Sequence, residues 1–381
     1  MKAAWATVAL VLFAGLLLAE PNGGGTKAEP DKGKPAKKEL GNPNKAEPGL
    51  QDQGWKAYDA TYVPVLKDWN IKTFAGGYAG ITSKDGAQVL ALPVKDKPGV
   101  SVKSEEFAIE VDANGDGKFD ERLKSDGSAC LVSLLYDDGT IAPYAIRVQK
   151  GRGATWSWQR SGYWTASINK TQIGIIDNNN NGIYDENGAD AISVGLNGYA
   201  TPMSEVVNLA GTLYRIKIAV SGNKVWVKEY EGDTGKLDAR SGHRSLGVLA
   251  SAIFQNGQTW IDVTSGKDKA IVVPAGKWEF FGGECRATSG SQSALMKKGS
   301  MAAVEVKKDE TAKVAWGMDL KIEFDFDVNG GSVSVQVASV HVFGQSGEEY
   351  YNFTPPAFTP IVTVWNTKTG EKAQTGKMCL S

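Results

Sequence analysis

Apolar and polar residues alternate along most of the chain after Trp55, which is the pattern of β-strands with one buried face. Residues 213–220 alternate in this way, and residues 225–230 alternate again. The residues between them, 221–224, are Ser, Gly, Asn and Lys, which favour a tight turn. The pattern therefore predicts a β-hairpin over these segments.

Other segments show the same period. Residues 271–280 are typical of a strand, a Pro-Ala-Gly turn and a second strand. Residues 320–326 alternate, and a glycine-containing turn leads into the alternating valines of 333–337. Helical periodicity is scarce, since the run 205–210 is ended at once by a glycine. The sequence therefore predicts an all-β protein made of antiparallel β-sandwich domains.

The N-terminal residues differ from the rest in composition. Residues 1–19 carry a single basic residue, then an apolar run that ends at Ala19, which predicts a secretory signal sequence too short to span a membrane. Residues 20–54 are rich in Pro, Gly, Lys and Glu and contain few large apolar residues. Such a segment buries too little surface to offset its ordering entropy, so we expect a disordered linker.

The remaining chain is long enough for two or three domains. We expect a β-rich domain over residues 55–204 and a β-sandwich region over residues 205–381, with a possible further boundary near residue 282. The 42 basic and 43 acidic residues nearly balance, which argues against a nucleic-acid partner because such partners require a basic face. No membrane span is expected in the mature chain.

Two segments of the first region place oxygen-bearing side chains at every second position. The first begins at Asp112 and the second at Asp177, and each has a glycine at its sixth position. A hard cation such as Ca²⁺ takes six to eight oxygen ligands, and a chain that winds around it presents alternate side chains inward. The candidate ligands of the first segment, loop 1, are Asp112, Asn114, Asp116, the carbonyl of Lys118, and Asp120. Those of the second segment, loop 2, are Asp177, Asn179, Asn181, the carbonyl of Ile183, and Asp185.

Both loops resemble the calcium loops of EF-hand and dockerin proteins over their first nine positions. The resemblance implies bound Ca²⁺, but position 12, a glutamate in EF-hands, is Leu123 in loop 1 and Gly188 in loop 2. Asp126 and Asp190 are candidate substitutes for the missing carboxylate. Strand-like runs flank both loops, where an EF-hand has helices. The alternative is a turn rich in Asn, Asp and Gly that holds no ion.

Residues 155–164, between the loops, are rich in aromatic side chains and predict a hairpin. Trp156 and Trp158 are two residues apart and share one face of a strand, and Trp164 could join them from the partner strand. An exposed platform of this kind would bind sugar rings. The alternative is that the three rings belong to the core.

Signals for catalysis are weak. The chain has two histidines, and Glu348 and Glu349 are candidates for a carboxylate pair only if they face each other across a cleft. Three cysteines leave one unpaired, and we expect a disulfide between Cys285 and Cys379 with Cys130 as a buried thiol.

Together these features predict an exported calcium-binding β-protein with a structural or adhesive role rather than an enzyme. It would be secreted, periplasmic or at the cell surface, with a polysaccharide or another surface component as partner. Two alternatives stay open: a carbohydrate-binding module built on the three tryptophans, and a glycosidase-like enzyme.

Overall fold

The computed structural model describes residues 7–11, 53–65, 71–73, 76–84, 86–151, 155–196, 199–245, 247–288, 292–329, 332–336, 339–354, 361–365 and 372–377. These residues form an all-β protein, as the alternation predicts. No helix long and apolar enough to cross a membrane occurs among them.

The described residues form 37 strands. Those up to loop 1 are β1 (Thr7–Val11), β2 (Lys56–Asp59), β3 (Thr61–Pro64), β4 (Lys72–Thr73), β5 (Ala79–Gly80), β6 (Thr82–Lys84), β7 (Ala87–Leu90), β8 (Val100–Ser104) and β9 (Ile109–Val111). The next are β10 (Glu121–Leu123), β11 (Ala129–Leu135), β12 (Ile141–Lys150), β13 (Trp156–Arg160), β14 (Gly162–Ile168), β15 (Thr171–Ile176), β16 (Ala191–Val194), β17 (Tyr199–Pro202), β18 (Val206–Leu209), β19 (Thr212–Ile218) and β20 (Lys224–Glu229).

The remaining strands complete the chain. They are β21 (Thr234–Asp238), β22 (His243–Arg244), β23 (Gly247–Asn256), β24 (Thr259–Asp262), β25 (Ile271–Pro274), β26 (Gly276–Ala287), β27 (Ser293–Lys297), β28 (Val304–Val306), β29 (Thr311–Lys313), β30 (Trp316–Gly317), β31 (Lys321–Glu323), β32 (Phe326–Asn329), β33 (Ser332–Val335), β34 (His341–Phe343), β35 (Glu349–Thr354), β36 (Ile361–Trp365) and β37 (Lys372–Lys377).

The first hydrophobic core lies among several mainly antiparallel sheets. Their strand orders are β10-β9-β8-β7-β6, β11-β12-β13-β5 and β3-β14-β15-β16-β17-β4. Tyr144 and Trp158 are fully buried in this core and meet edge to face, with ring centroids 6.5 Å apart. Both calcium-type loops lie at the ends of strands that build this core.

A sheet of order β18-β19-β20-β2 lies between the first core and a second one. Alternation gives it two buried faces: Val207 and Ile216 pack in the first core, whereas Val206 and Leu213 pack in the second. Strands β18 and β19 therefore contribute to both cores, and the domain boundary expected between residues 204 and 205 stays a prediction.

The second core is built on a sheet of order β24-β23-β26-β27-β35-β34-β31. Trp278, Trp316, Phe254 and Phe280 are its largest fully buried side chains. Strand β26 runs from Gly276 to Ala287, across the boundary that the sequence places near residue 282, and that boundary stays a prediction.

Two of the three hairpins predicted after residue 205 are confirmed. β19 and β20 pair antiparallel with Ile218 opposite Val225, and β32 and β33 pair with Phe326 opposite Val335, so both hairpins are confirmed. β25 and β26 exist as strands but pair with other partners, β25 with β21 and β26 with β23.

Most of the predicted signal sequence and nearly all of the predicted linker lie outside the described residues. Within the signal sequence, β1 pairs antiparallel with β36, and β36 pairs in turn with β37. Cleavage after Ala19 would leave β36 and β37 as a two-stranded hairpin. The signal sequence, its cleavage and the linker remain predictions.

Candidate metal centre

Loop 1 closes a hairpin between β9 and β10. These strands pair antiparallel with Val111 opposite Glu121, so the register places Asp112 opposite Asp120 at the mouth of the loop. The Asp112 carboxylate is almost fully buried and accepts backbone N–H groups from Gly115 at 2.9 Å and Gly117 at 3.1 Å. It therefore turns into the loop rather than toward solvent.

The other ligand candidates of loop 1 also bond to the loop itself. Asn114 Oδ1 accepts the N–H of Asp116 at 2.9 Å, and Asp116 Oδ1 accepts the N–H of Lys118 at 2.8 Å. Asp120 Oδ1 accepts the N–H of Ala113 at 3.0 Å, and Asn114 Nδ2 donates to Asp120 Oδ2 at 3.2 Å. Positions 1, 3, 5 and 9 are thus drawn onto one short winding of backbone.

Asp126 does not join this set. Its Oδ1 accepts the N–H of Ser128 at 3.0 Å, and the side chain is exposed, so its role as a substitute for position 12 has no support in the geometry. Lys97 was not predicted to take part in this site, but its Nζ donates to the Gly115 carbonyl at 2.6 Å and so connects loop 1 to the segment before β8.

Loop 2 closes a longer hairpin between β15 and β16. Ile176 pairs with Ala191, so the register places Asp177 opposite Asp190, not opposite Asp185. Asp177 is fully buried, and it accepts three hydrogen bonds: from the N–H of Asn181 at 3.2 Å, the N–H of Gly182 at 2.6 Å and the hydroxyl of Tyr144 at 2.6 Å.

Glycine at the sixth position of loop 2 is required by the fold. Gly182 has φ +75°, and a Cβ on this residue would approach Pro93 Cδ to 2.4 Å. The carbonyl of Gly182 accepts the hydroxyl of Tyr136 at 2.6 Å, which fixes the turn against β11. The sharp turn inferred from the sequence is therefore present.

The interior of loop 2 holds an acid that the prediction left out. Glu186 Oε2 accepts Nδ2 of Asn179 at 2.8 Å and also Nδ2 of Asn181, whereas Asp185 is exposed. Asn181 Oδ1 accepts the N–H of Ile183 at 2.8 Å. The Asp-Glu pair at positions 9 and 10 was visible in the sequence, but only the fold shows which of the two acids turns inward.

Asp190 completes loop 2 from its far end. It is fully buried, and its two oxygens accept the N–H of Asn178 at 3.3 Å and the N–H of Glu186 at 3.0 Å. Burial raises the pKa of Asp177, although its hydrogen bonds offset part of this effect. Burial, followed by the negative charge of Asp177, raises the pKa of Asp190 to about 8.

The even-numbered side chains of loop 2 face away from the ion-binding positions. Asn178 Oδ1 accepts a guanidinium N–H of Arg160 at 3.1 Å, and Asn180 Oδ1 accepts the backbone N–H of Arg160 at 2.8 Å. Asn180 Nδ2 donates to the carbonyl of Gly77 at 2.7 Å. Asn180 has φ +60°, a conformation that asparagine adopts more readily than most residues.

The donor chemistry of both loops fits a hard cation, because Ca²⁺ accepts carboxylate, amide and carbonyl oxygens alike. Within the described ranges, no three acidic, histidine or cysteine side chains are grouped closely enough to hold a metal by themselves. In this structure the carboxylates accept backbone N–H groups instead. To bind an ion, the carboxylates of either loop would therefore have to release these N–H donors.

The three tryptophans are core side chains. Their exposed fractions are 9% for Trp156, 0% for Trp158 and 6% for Trp164, so they form no exposed platform. Trp156 and Trp158 do share one face of β13, as predicted. The predicted hairpin is wrong, however, because β13 pairs with β12 and β5, whereas β14 pairs with β15 and β3.

The candidate catalytic glutamates and the cysteines contact neighbouring groups of the protein. Glu348 is fully buried and accepts the N–H of Gly317 at 2.6 Å, whereas Glu349 lies 2.8 Å from Nδ1 of His341. Cys285 carries a free thiol rather than a disulfide, with its Sγ 3.2 Å from Ser245 Oγ. Cys130 is a buried free thiol, as predicted, and Cys379 lies outside the described residues.

Comparison with known proteins adds no relative: the chain matches no family model, no curated protein and no solved structure.

Proposed function

We propose that this chain is an exported, non-catalytic β-protein with a structural or adhesive role, in which Ca²⁺ bound at loops 1 and 2 stabilises the first core. The observation that carries the proposal is the inward direction of Asp112 and Asp177. Each begins its loop, is buried, and accepts N–H groups from the glycine-containing turn that follows.

Loop 2 provides the stronger argument for a cation. Asp177 and Asp190 are both fully buried and face each other across the mouth of the hairpin. Two carboxylates that are buried together repel each other and lose their hydration. A bound divalent cation would therefore stabilise the ionised pair. Asp177, Asp190 and the oxygens of Asn179 and Asn181 are the groups that would hold it.

Loop 1 offers its carboxylates in a more open position. Asp112 is buried, whereas Asp116 and Asp120 are exposed. An exposed site of this type is screened by solvent and binds more weakly than a buried one. Extracellular calcium sites have dissociation constants of about 0.1–1 mM, which suits an exported protein.

The energetic contribution of each site is modest. With a dissociation constant of about 0.1 mM and about 1 mM Ca²⁺, linkage gives about 1.4 kcal/mol per site. Domains have total stabilities of roughly 5–15 kcal/mol, so two such sites would contribute a substantial share.

Calorimetric titration of residues 20–381 with Ca²⁺ tests the proposal directly, and we expect two binding events. Terbium, which occupies calcium sites, gives a second readout: Tyr144 bonds to Asp177, so terbium in loop 2 should emit on excitation of tyrosine. Asp177→Asn should abolish this emission, whereas Asp112→Asn should retain most of it. Absence of any calcium heat would refute the proposal.

Neither alternative function gains a supporting contact from the predicted residues. The tryptophans lack the exposure that sugar stacking requires. Glu348 is held by the backbone of Gly317 and Ser346, and its neighbour Glu349 is paired with Lys297 and His341, so they do not present two carboxylates to one cleft.

A further inference from the structure

A cleft of about 550 Å³ opens where the first core meets the second. It lies within the usual size range of ligand pockets, about 300–1,000 Å³. Its lining includes the polar, charged or aromatic side chains of Lys72, Gln159, Arg160, Glu284, Tyr351 and Asn352. They come from segments far apart in sequence, so the cleft exists only in the folded chain.

The charge of the cleft wall is centred on Glu284. This residue is 1% exposed, and its carboxylate accepts hydrogen bonds from Lys72 at 3.0 Å, from Arg286 at 2.9 Å and from the hydroxyl of Tyr199. Burial alone would raise the pKa of Glu284, but these partners outweigh burial and lower the pKa to about 2. Lys72 and Arg286 thus set two positive charges against the one carboxylate of Glu284, whereas the charge of Arg160 is coupled to that of Asp177.

Polar and aromatic groups come from β35, which lies two strands from β26 in the same sheet, and from β13. Tyr351 presents a half-buried ring, with the Lys297 ammonium 5.4 Å from the ring centroid. Asn352 is exposed and has φ +48°, a conformation that asparagine adopts more readily than most residues. Gln159 contributes a partly exposed amide.

The floor of the cleft is attached to loop 2. Asn178 and Asn180 hold Arg160 and Gly77, and both of these line the cleft. Gly76, also in the lining, lies so close to loop 2 that a Cβ on it would approach Asn178 Oδ1 to 2.4 Å. A change in the backbone of loop 2 would therefore move the floor of the cleft directly.

We propose that this cleft binds an acidic saccharide, a sugar ring that carries a carboxylate, and that calcium in loop 2 holds the floor of the cleft in its binding conformation. Lys72 would receive the carboxylate, Gln159 and Asn352 the hydroxyls, and Tyr351 the apolar face of the ring. A simple anion would leave most of the volume empty, and a neutral sugar would leave the excess positive charge uncompensated. Only the calcium dependence rests on the function proposed above.

The first experiment measures trigalacturonate binding to residues 20–381 by calorimetry, with maltotriose as the neutral counterpart and acetate as the simple anion. Lys72→Gln should weaken trigalacturonate binding at least tenfold. Lys236→Gln, in a separate groove, should leave it unchanged. Lys72→Arg should retain most of the affinity, which separates loss of charge from loss of fold. No binding, equal binding of maltotriose or acetate, or no effect of Lys72→Gln would overturn the proposal.

The second experiment tests the link to loop 2 at one fixed calcium concentration, so that calcium bound by the sugar itself cancels. Asn180→Ala removes the contacts to Arg160 and Gly77 but no candidate ion ligand. We expect it to keep the calcium heat and to weaken trigalacturonate at least fivefold, whereas Asp177→Asn should weaken both. Unchanged sugar affinity in both variants would overturn the coupling. A silent calcium titration together with Lys72-dependent sugar binding would refute the calcium function and leave the cleft site standing.

Discussion

Replacing Asp177 by asparagine removes a buried negative charge from loop 2 and leaves the side-chain shape almost unchanged. Without calcium, two effects oppose each other. The variant no longer desolvates a carboxylate, but an amide has one acceptor atom where the carboxylate oxygens receive three donors. We therefore expect the free energy of unfolding in chelator to change by only about 1 kcal/mol in either direction.

Calcium should separate the variants clearly. The wild-type protein should gain about 1.4 kcal/mol from each loop in 1 mM Ca²⁺, and Asp177→Asn should lose the share of loop 2. Asp112→Asn is the matched variant for loop 1, and the double variant should show no calcium effect. For a cooperative unit of 150–250 residues, about 1.4 kcal/mol corresponds to about 3–6 °C in Tm.

Thermal unfolding of the four proteins in Ca²⁺ and in chelator measures these differences, with Mg²⁺ as the control ion. Mg²⁺ demands a smaller octahedral site and should give a much smaller shift. The two single-variant losses should add to within about 0.5 kcal/mol if the loops are independent. Superimposable wild-type curves in Ca²⁺ and chelator, or a calcium shift retained by the double variant, would refute the reasoning.

Three further predictions concern other parts of the molecule. The pKa of Glu284 is lower in the folded protein than in the unfolded one, so its stabilisation is present above about pH 4.5 and is lost as the pH falls toward 2. Allowing for solvent screening at half-exposed Lys72, Glu284→Gln should cost about 2 kcal/mol at pH 7 and less at pH 3 in urea unfolding; an equal cost at both values would contradict this. Trp158→Ala should cost about 3–5 kcal/mol in the same assay, because the ring is fully buried, and a loss below 1 kcal/mol would restore the surface-platform hypothesis. Burial raises the pKa of Cys130 to about 12, so its thiol should resist labelling at pH 8 until denaturant is added, and rapid labelling of the native protein would refute its burial.

Alternation with period two was a reliable guide to strands because it reports burial of one face, which each strand expresses locally. It also predicted the hairpin of β19 and β20. It could not predict pairing across long separations. Trp158 and Trp164 lie on successive strands, yet Ser161 between them lies where the chain passes from one sheet to another.

In the candidate metal centre too, some features follow from local sequence and others only from strand pairing. Positions 1, 3 and 5 of both loops follow from local turn geometry, and Asp112 and Asp177 both turn into their loops. The closing acid depends on hairpin register, which nine-residue spacing does not encode. Register places Asp120 opposite Asp112 in loop 1, but in loop 2 it places Asp190 opposite Asp177 and leaves Asp185 exposed.

The residues at positions 2 and 4 of each loop explain why two loops of similar sequence have different consequences for the fold. In loop 1 these positions include Ala113 and Gly115, which have no side-chain group that can form a hydrogen bond. In loop 2 they are Asn178 and Asn180, whose amides bond to Arg160 and to the carbonyl of Gly77. An ion in loop 1 would therefore stabilise one hairpin, whereas an ion in loop 2 would also order the wall of the cleft between the cores. Replacing Asn178 by alanine and Asn180 by glycine, the residues at positions 2 and 4 of loop 1, should make loop 2 behave as loop 1 does. Calcium would still raise the Tm of this variant but would no longer alter its affinity for trigalacturonate.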